Sequence, residues 1–360
     1  MAAFLSPRLL RRGLQIFALV SVLGVVALLT WTGAWHSTVD AFAQVRPGWL
    51  VVALLLASSD WIGGGIRLWL LTNHIHHRPR FWPLVAASGL SAWAGYLTPS
   101  SAGAGPMQIY GMQRAGISIP DSMIVALISF FTTVVFFAVA GPGALFLGAG
   151  RSLREHGIPV LNISFYDIFT ASAATFGAVG ALMVAVIVFP GVFKRLINAA
   201  ISWLERHHGE RIAARVAGMR SGLDRMHDSL VAYFRGSGWL AIAVGVLTSS
   251  FAHANRLLAG YVAMRAIGLQ AHFVDVLVVQ VVISFLLYFM PTPGGAGAAE
   301  ALSAALMSVY VPKALLPAYT IIWRFTATYA TVIFGSFVFY RLLHGRLGTA
   351  AGKNGEAPPA

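Results

Sequence analysis

Predominantly apolar runs of eighteen residues or more recur along the whole of this chain, near 14–34, 48–72, 122–147, 163–190, 238–264 and 315–340. In hydrocarbon no water satisfies the backbone, so a run of this length crosses as a helix whose N–H and C=O groups bond within the segment. A spanning β-barrel would alternate over segments of about ten residues, and no such alternation is present. Charged residues make up only 10% of the chain, against about 25% in a soluble domain.

Two further apolar stretches, 82–98 and 273–290, end on a breaker that occurs twice: YLTPSSAGAGPMQ from Tyr96 to Gln108 and YFMPTPGGAGAAE from Tyr288 to Glu300. At a constant offset of 192 residues, Tyr96 falls on Tyr288, Pro99 on Pro291, Gly103 on Gly295, Ala104 on Ala296 and Gly105 on Gly297. Gln108 falls on Glu300, alike in shape but not in charge. Proline removes a backbone donor and glycine admits positive φ, so both stretches turn sharply. Each is followed by a short arm rich in small residues, about 103–117 and 297–310. At ~1.5 Å per residue such an arm reaches about 20 Å, less than the roughly 30 Å of a bilayer core.

Basic residues choose between topologies. If 82–98 crossed alone, the segment 191–237, with eight Lys or Arg, would lie outside, against the preference of such residues for cytoplasmic loops. If each breaker returns the chain to its starting side, the conflict disappears. The basic N-terminus 1–13, HIHHRPR at 74–80, the 191–237 segment and the tail with Arg341, Arg346 and Lys353 then share the cytoplasmic side, while RSLRE at 151–155 faces outside. Three full spans separate the hairpins, so hairpin one enters from the cytoplasm and hairpin two from outside. The expected fold is an all-α polytopic membrane protein of six full spans plus two opposed helical hairpins, re-entrant or made of short paired spans, in an inverted internal repeat. Repeat 1 covers 14–150 with hairpin 82–117, and repeat 2 covers 163–340 with hairpin 273–310. Broken helices meeting near the midplane of inverted repeats are a transporter architecture.

The formal charge of +13 therefore needs no nucleic acid. The basic loops orient the helices and meet anionic lipid at the cytoplasmic face. Leu196, Ile197, Trp203, Leu204, Ile212 and Val216, set among the charges of 191–237, predict an interfacial amphipathic segment. Arg8, Arg11 and Arg12 before the apolar run, with AFA at 41–43, resemble a signal peptide. The run is long and AFA lies beyond its end, so an uncleaved first helix is expected. His74, His76 and His77 share a mixed His/Arg loop that reads as a cytoplasmic anchor, and no metal site is expected. The tail 341–360, ending GTAAGKNGEAPPA, is expected to be disordered. The chain has no cysteine, which removes disulfides, thiolate metal sites and cysteine nucleophiles.

Charged groups within spans are costly and mark candidate sites. Glu300 follows the second breaker, Arg324 lies mid-span in IIWRFTATY, and Arg256 stands in SFAHANRLL. Asp60 and Arg67, seven residues apart on one helix, share roughly one face and are read as a structural ion pair. The N–H groups freed at the breakers, with the helix N-termini behind them, would form an anion nest suited to a lipid phosphate. The candidate substrate-binding set is Pro99, Gly103, Gly105, Gln108, Pro291, Gly294, Gly295, Gly297, Glu300, Arg324 and Arg256. No P-loop, HExxH or GxSxG motif occurs, so no catalytic residue, cofactor or ATP-driven step is expected.

LTPSSAGAGPMQIYGMQRAGIS at 97–118 resembles the first motif of the lysylphosphatidylglycerol synthase transmembrane region, or flippase-like domain. MPTPGGAGAAEALSAAL at 290–306, followed by IIWRFTATY at 321–329, resembles its second: a Pro-Gly-Gly-x-Gly turn with a nearby Glu and a later Arg, matched by Glu300 and Arg324. Where many relatives carry Arg or Glu after the first turn, this chain has Pro106, Met107 and Gln108. The resemblance covers about 14–340 and implies movement of polar-headed or anionic lipids, or lipid-linked precursors, between leaflets of a prokaryotic cytoplasmic membrane. Both termini are expected in the cytoplasm. The full synthase adds a soluble aminoacyl-transferase domain, so this chain is expected to move a lipid made elsewhere and not to be an enzyme. Its expected partners are membrane lipid as substrate and anionic lipid at the cytoplasmic face, with a homo-oligomer or a lipid-synthesis enzyme as the protein partners considered. The alternatives are a secondary transporter of a small soluble anion and a non-catalytic membrane partner of a lipid-synthesis enzyme.

Overall fold

A computed structural model describes residues 7–75, 78–144, 146–147, 157–158, 163–208, 224, 228, 233 and 238–353. The described chain is helical apart from turns and one two-residue antiparallel pair, β1 (Gly157–Ile158) with β2 (Ile163–Ser164). Helix α1 (Pro7–Thr32) and the short α2 (Trp35–Ala43) precede a broken helix, α3 (Pro47–Ala57) and α4 (Ile62–Asn73), joined by a 3-10 turn at Ser58–Asp60. Hairpin one is α5 (Phe81–Tyr96) and α6 (Ala104–Arg114), followed by α7 (Ile119–Ala144). Then come α8 (Phe165–Val188), α9 (Pro190–His208) and a second broken helix, α10 (Gly238–Ala252) and α11 (Ala254–Ala266), interrupted at His253. Hairpin two is α12 (Phe273–Leu287) and α13 (Ala298–Met307). The last span is α14 (Leu316–Arg324), a π turn at Phe325–Tyr329 and α15 (Ala330–Lys353).

Among the described residues four helices are long and apolar enough to cross a membrane: Arg8–Thr32, Pro47–Asn73, Ile119–Ala144 and Lys313–Arg341. The runs read at 163–190 and 238–264 correspond to α8, whose apolar stretch Phe169–Ala185 is shorter, and to the interrupted pair α10–α11. The tail differs from expectation, because α15 carries the helix through Lys353 before residues 354–360, which lie outside the described set. His76, His77 and RSLRE at 151–155 also lie outside it, as do most residues of 209–237. Of the expected interfacial segment, α9 exposes Val192, Leu196, Ile197 and Trp203 while burying Ile201. Lys194 on α9 pairs with Asp224 at 2.8 Å.

The two broken helices run antiparallel. Arg46 N, at the start of α3, donates to Ala266 O at the end of α11, 3.0 Å away. His74 Nε2, at the end of α4, donates to Tyr233 O, ahead of α10, at 2.8 Å. Their crossing is close because Gly63 lacks a side chain: a Cβ there would lie 2.8 Å from the Phe251 carbonyl oxygen. Each hairpin takes one half of the last span. Trp93 of α5 donates to Ser336 on α15 at 2.9 Å, while Glu300 of α13 meets Arg324 on α14. The tips touch, and a Cβ on Gly294 would lie 3.0 Å from the Tyr96 carbonyl oxygen.

The tip geometry corrects the sequence register. Thr98 and Thr292 are both extended, with ψ of 145° and 147°. The next prolines, Pro99 and Pro293, open matching 3-10 turns in which Ser100 and Gly294 have φ of 48° and 57°, and Ser101 and Gly295 have 56° and 66°. The second arms start at Ala104 and Ala298. The first arms keep the 192-residue offset, from Phe81 to Phe273, but the turns and second arms follow 194. Two extra residues therefore sit before the second turn. Pro99 corresponds to Pro293 and not Pro291, Gly103 to Gly297, and Pro106, not Gln108, to Glu300. Left-handed φ in hairpin one is carried by two serines, an uncommon assignment for residues with a Cβ, and not by Gly103 or Gly105.

Candidate functional site

The breaks converge at one level of the bundle, and two polar clusters form there. In the first, Arg324 and Glu300 are each 1% exposed and pair at 2.9 Å (Nε to Oε1). Both are saturated. Arg324 Nη1 donates to the Gly294 carbonyl at 3.1 Å and its other amino group lies 3.5 Å from Ser21 Oγ, while Phe17 and Tyr329 flank the guanidinium at 5.7 and 5.3 Å. Glu300 Oε2 accepts from Gly297 N at 2.7 Å, capping the helix it opens. An acidic cap at a helix N-terminus is favourable, so this pair pins tip two to the last span and to α1.

The second cluster is built around Asp60. Its Oδ2 accepts from Asn255 Nδ2 at 3.0 Å and Thr331 Oγ1 at 3.0 Å, and Tyr96 Oη lies 2.9 Å away. Asn255 N also donates to Ser59 Oγ at 2.9 Å, and its side chain reaches the Ala327 carbonyl of the π turn at 3.2 Å. Both broken helices, tip one and the last span thus share one network. The ion pair expected between Asp60 and Arg67 is absent. Arg67 instead donates to Thr133 Oγ1 at 2.7 Å and Ser249 Oγ at 3.2 Å. The seven-residue spacing presumed a continuous helix, but the 3-10 turn at Ser58–Asp60 resets the phase between the two residues.

Arg256 joins the hairpins. Its guanidinium carbon lies 5.1 Å from the ring centres of both Tyr96 and Tyr288, and its Nε donates to Tyr96 Oη at 3.2 Å. These are the first-arm residues matched at the 192-residue offset. Such contacts are worth about 0.5–2 kcal/mol each, so one cation holds both tips together.

Beside this clamp lies a cavity of about 390 Å³, lined among others by Arg67, Gly105, Gln108, His253 and Arg256. Among the described residues neither arginine has a carboxylate within ion-pair distance. Arg67 Nε, Gln108 Nε2 and both ring nitrogens of His253 are buried without a hydrogen-bond partner. Leaving one such group unpaired costs about 1–3 kcal/mol. A smaller cavity of about 40 Å³ opens between Arg256, Arg324 and tip two, and shares Ser100, Ser101 and Tyr288 with the first. On the membrane side an apolar groove of about 640 Å³ runs between Leu54, Trp61, Trp82, Val85 and Phe334. Thr331 belongs to that groove and donates to Asp60, which lines the polar cavity, so one layer of residues separates the two.

The candidate set is therefore divided. Arg256, Gln108 and Gly105 line the larger cavity; Gly294, Gly295 and Arg324 line the smaller. Pro99 and Pro291 are exposed at the tips. The expected nest of open N–H groups is closed at two positions: Gly103 N donates to Thr98 Oγ1 at 2.8 Å and Gly297 N to Glu300. Four residues around the two cavities lay outside the expected binding set: Arg67, His253, Tyr96 and Tyr288. The tyrosines were visible in the sequence as a repeat match. His253 carried no signal beyond a histidine inside an apolar run.

The family model described as the lysylphosphatidylglycerol synthase TM region matches residues 15–335. A relative from Archaeoglobus fulgidus, named only as a UPF0104 membrane protein, is 24% identical over 314 residues, covering 84% of this chain and 89% of the relative.

Proposed function

Because the chain belongs to the family of the lysylphosphatidylglycerol synthase transmembrane region, we propose that it is a flippase-like transporter. It moves a lipid with a polar or anionic head group, or a lipid-linked precursor, between leaflets of a prokaryotic cytoplasmic membrane. It acts as a carrier and not as an enzyme. The observation that carries this reading is the 390 Å³ cavity, whose lining has two arginines and one carboxylate, Asp60, that neither arginine contacts directly. A bare phosphate cannot cross hydrocarbon, and ionisable groups at membrane depth mark a substrate path. The volume sits at the small end of ligand sites, about 300–1,000 Å³, which suits a head group and leaves the acyl chains outside. The apolar groove one residue layer away supports lipid over a soluble anion.

Six spans and an inverted repeat complete the reading. The antiparallel broken helices, the touching tips and the division of the last span between the hairpins all support it. Residues 74–80 and 191–237 then face the cytoplasm with both termini, as the contact of His74 with Tyr233 favours. The chain has no cysteine, so single cysteines report topology without background. Gln44 and Arg78 are exposed near opposite ends of the first broken helix. An impermeant maleimide is expected to label Gln44→Cys in intact spheroplasts and Arg78→Cys only after permeabilisation. Labelling of both from one side would refute the arrangement.

Native mass spectrometry of the purified protein with head-group analysis tests the substrate. The expected result is one anionic or glycosylated lipid retained well above its share of the membrane. Retention in bulk proportions alone would argue for a small soluble anion or a non-catalytic membrane partner.

A further inference from the structure

Asp60 and Glu300 are the two buried carboxylates among the described residues, and they are held differently. Glu300 is paired with Arg324 and bonded through both oxygens. Asp60 is 6% exposed, lines the larger cavity and belongs to no ion pair among the described residues. Its Oδ2 takes all three donors, Tyr96, Asn255 and Thr331, and no described group donates to Oδ1. A proton on Oδ2 would displace a donor, so Oδ1 is the place for one. A carboxyl at membrane depth without a counter-ion is costly as an anion, and such groups serve proton relays.

The network accommodates both protonation states. Tyr96 Oη has one proton and two acceptors, Asp60 Oδ2 at 2.9 Å and the Ala327 carbonyl at 3.0 Å. The carboxylate holds that proton, because charge-assisted hydrogen bonds are the stronger ones. With Oδ1 protonated, Oδ2 is a neutral acceptor still served by Asn255 and Thr331, and the Tyr96 hydroxyl turns to Ala327 without moving a heavier atom. Ala327 lies in the π turn of the last span, and Tyr96 also carries Arg256. One proton on Asp60 is therefore felt by hairpin one, by the second broken helix and by the last span.

Resting on the transport reading, we propose that Asp60 is the proton-binding site of a coupled carrier. One proton enters Oδ1 from the cavity, crosses with one anionic head group and leaves to the cavity on the other side. A carboxylate lining the cavity repels an anion there and its neutral acid does not, so proton and head group favour each other reciprocally. The pair that crosses carries no net charge, which lowers the cost of passing hydrocarbon. The other titratable groups around this space are Arg67 on the same broken helix, His253 and Arg256 from the second, and Tyr96 and Tyr288 from the two hairpins. The last span contributes Thr331 and the Ala327 carbonyl, both neutral. His253 is the rival proton carrier.

The test is a steady-state leaflet distribution. Proteoliposomes of phosphatidylcholine with a minor fraction of fluorescent phosphatidylglycerol are held with the interior about one pH unit more alkaline, a gradient able to sustain ~10-fold asymmetry at one proton per lipid. The membrane potential is clamped at zero, and protein-free vesicles under the same gradient give the baseline. Wild type is expected to enrich the label in the inner leaflet toward that limit, and a protonophore to abolish the enrichment. Asp60→Asn is neutral, isosteric and keeps an acceptor oxygen. It is expected to stay folded by thermal unfolding and to exchange label between leaflets while holding it evenly. His253→Gln is expected to keep the enrichment. An even distribution, or enrichment in the outer leaflet, by a wild type that moves lipid faster than the baseline would overturn the coupling and leave the transport reading standing. Enrichment in Asp60→Asn, arrest of exchange in folded Asp60→Asn, or loss of enrichment in His253→Gln alone would take the proton away from Asp60. No lipid movement by wild type would remove the transport reading and the coupling with it.

Discussion

Replacing Glu300 with alanine is expected to destabilise the fold by about 3–5 kcal/mol, the range for removing one partner of a buried ion pair. Arg324 would keep its charge while 1% exposed, with only the Gly294 carbonyl and weaker hydroxyl contacts left. The cap on Gly297 N would go as well, adding a further ~1 kcal/mol. Yield of folded protein and thermal unfolding in detergent give the readout. The double variant Glu300→Gln with Arg324→Met removes the stranded charge, and is expected to recover more than half of the loss, since apolar replacements of buried pairs are often close to neutral. Unfolding of Glu300→Ala within about 1 kcal/mol of wild type would mean that the pair does not pin tip two.

Arg256→Gln is expected to weaken both transport and stability. The fold loses one hydrogen bond and two cation–π contacts, about 1.5–5.5 kcal/mol together. Transport loses a charge-assisted ligand and the link between tips, about 1.5–3 kcal/mol of head-group stabilisation, or roughly 10- to 150-fold in rate. Arg256→Lys separates the two contributions. Lysine keeps the charge but is a point cation without the planar face that stacks on Tyr96 and Tyr288, so an intermediate rate is expected. Transport at the wild-type rate in Arg256→Gln would remove it from the path.

Much of this architecture was legible before any coordinate. Apolar length placed the long helices, because spanning hydrocarbon leaves few alternatives. The breakers placed both tips, and Glu300 and Arg324 were singled out together because charge inside a span needs a reason. The failures have physical causes too. The 192-residue alignment was drawn by a shared GAG, whereas backbone torsion follows the Thr-Pro pairs at 98–99 and 292–293. Those pairs were available in the sequence at offset 194, and they specify the turn better than the shared glycines, whose φ differs between the two tips: −76° at Gly103 against 66° at Gly295. Asp60 and Arg67 were paired on helical periodicity, which stops at a 3-10 turn. The network that Asp60 joins draws on residues 36 to 271 positions away, and no local pattern reports contacts that depend on tertiary assembly. The same holds for His253, which becomes a site residue only where two broken helices cross.

Transbilayer movement by the purified protein tests the central claim most directly. Wild type reconstituted into liposomes with a fluorescent phosphatidylglycerol is expected to move the lipid between leaflets well above protein-free vesicles, with Arg256→Gln falling most of the way back to that baseline. A wild-type rate equal to that of protein-free vesicles, with the protein folded and every tested anionic lipid behaving alike, would contradict the account.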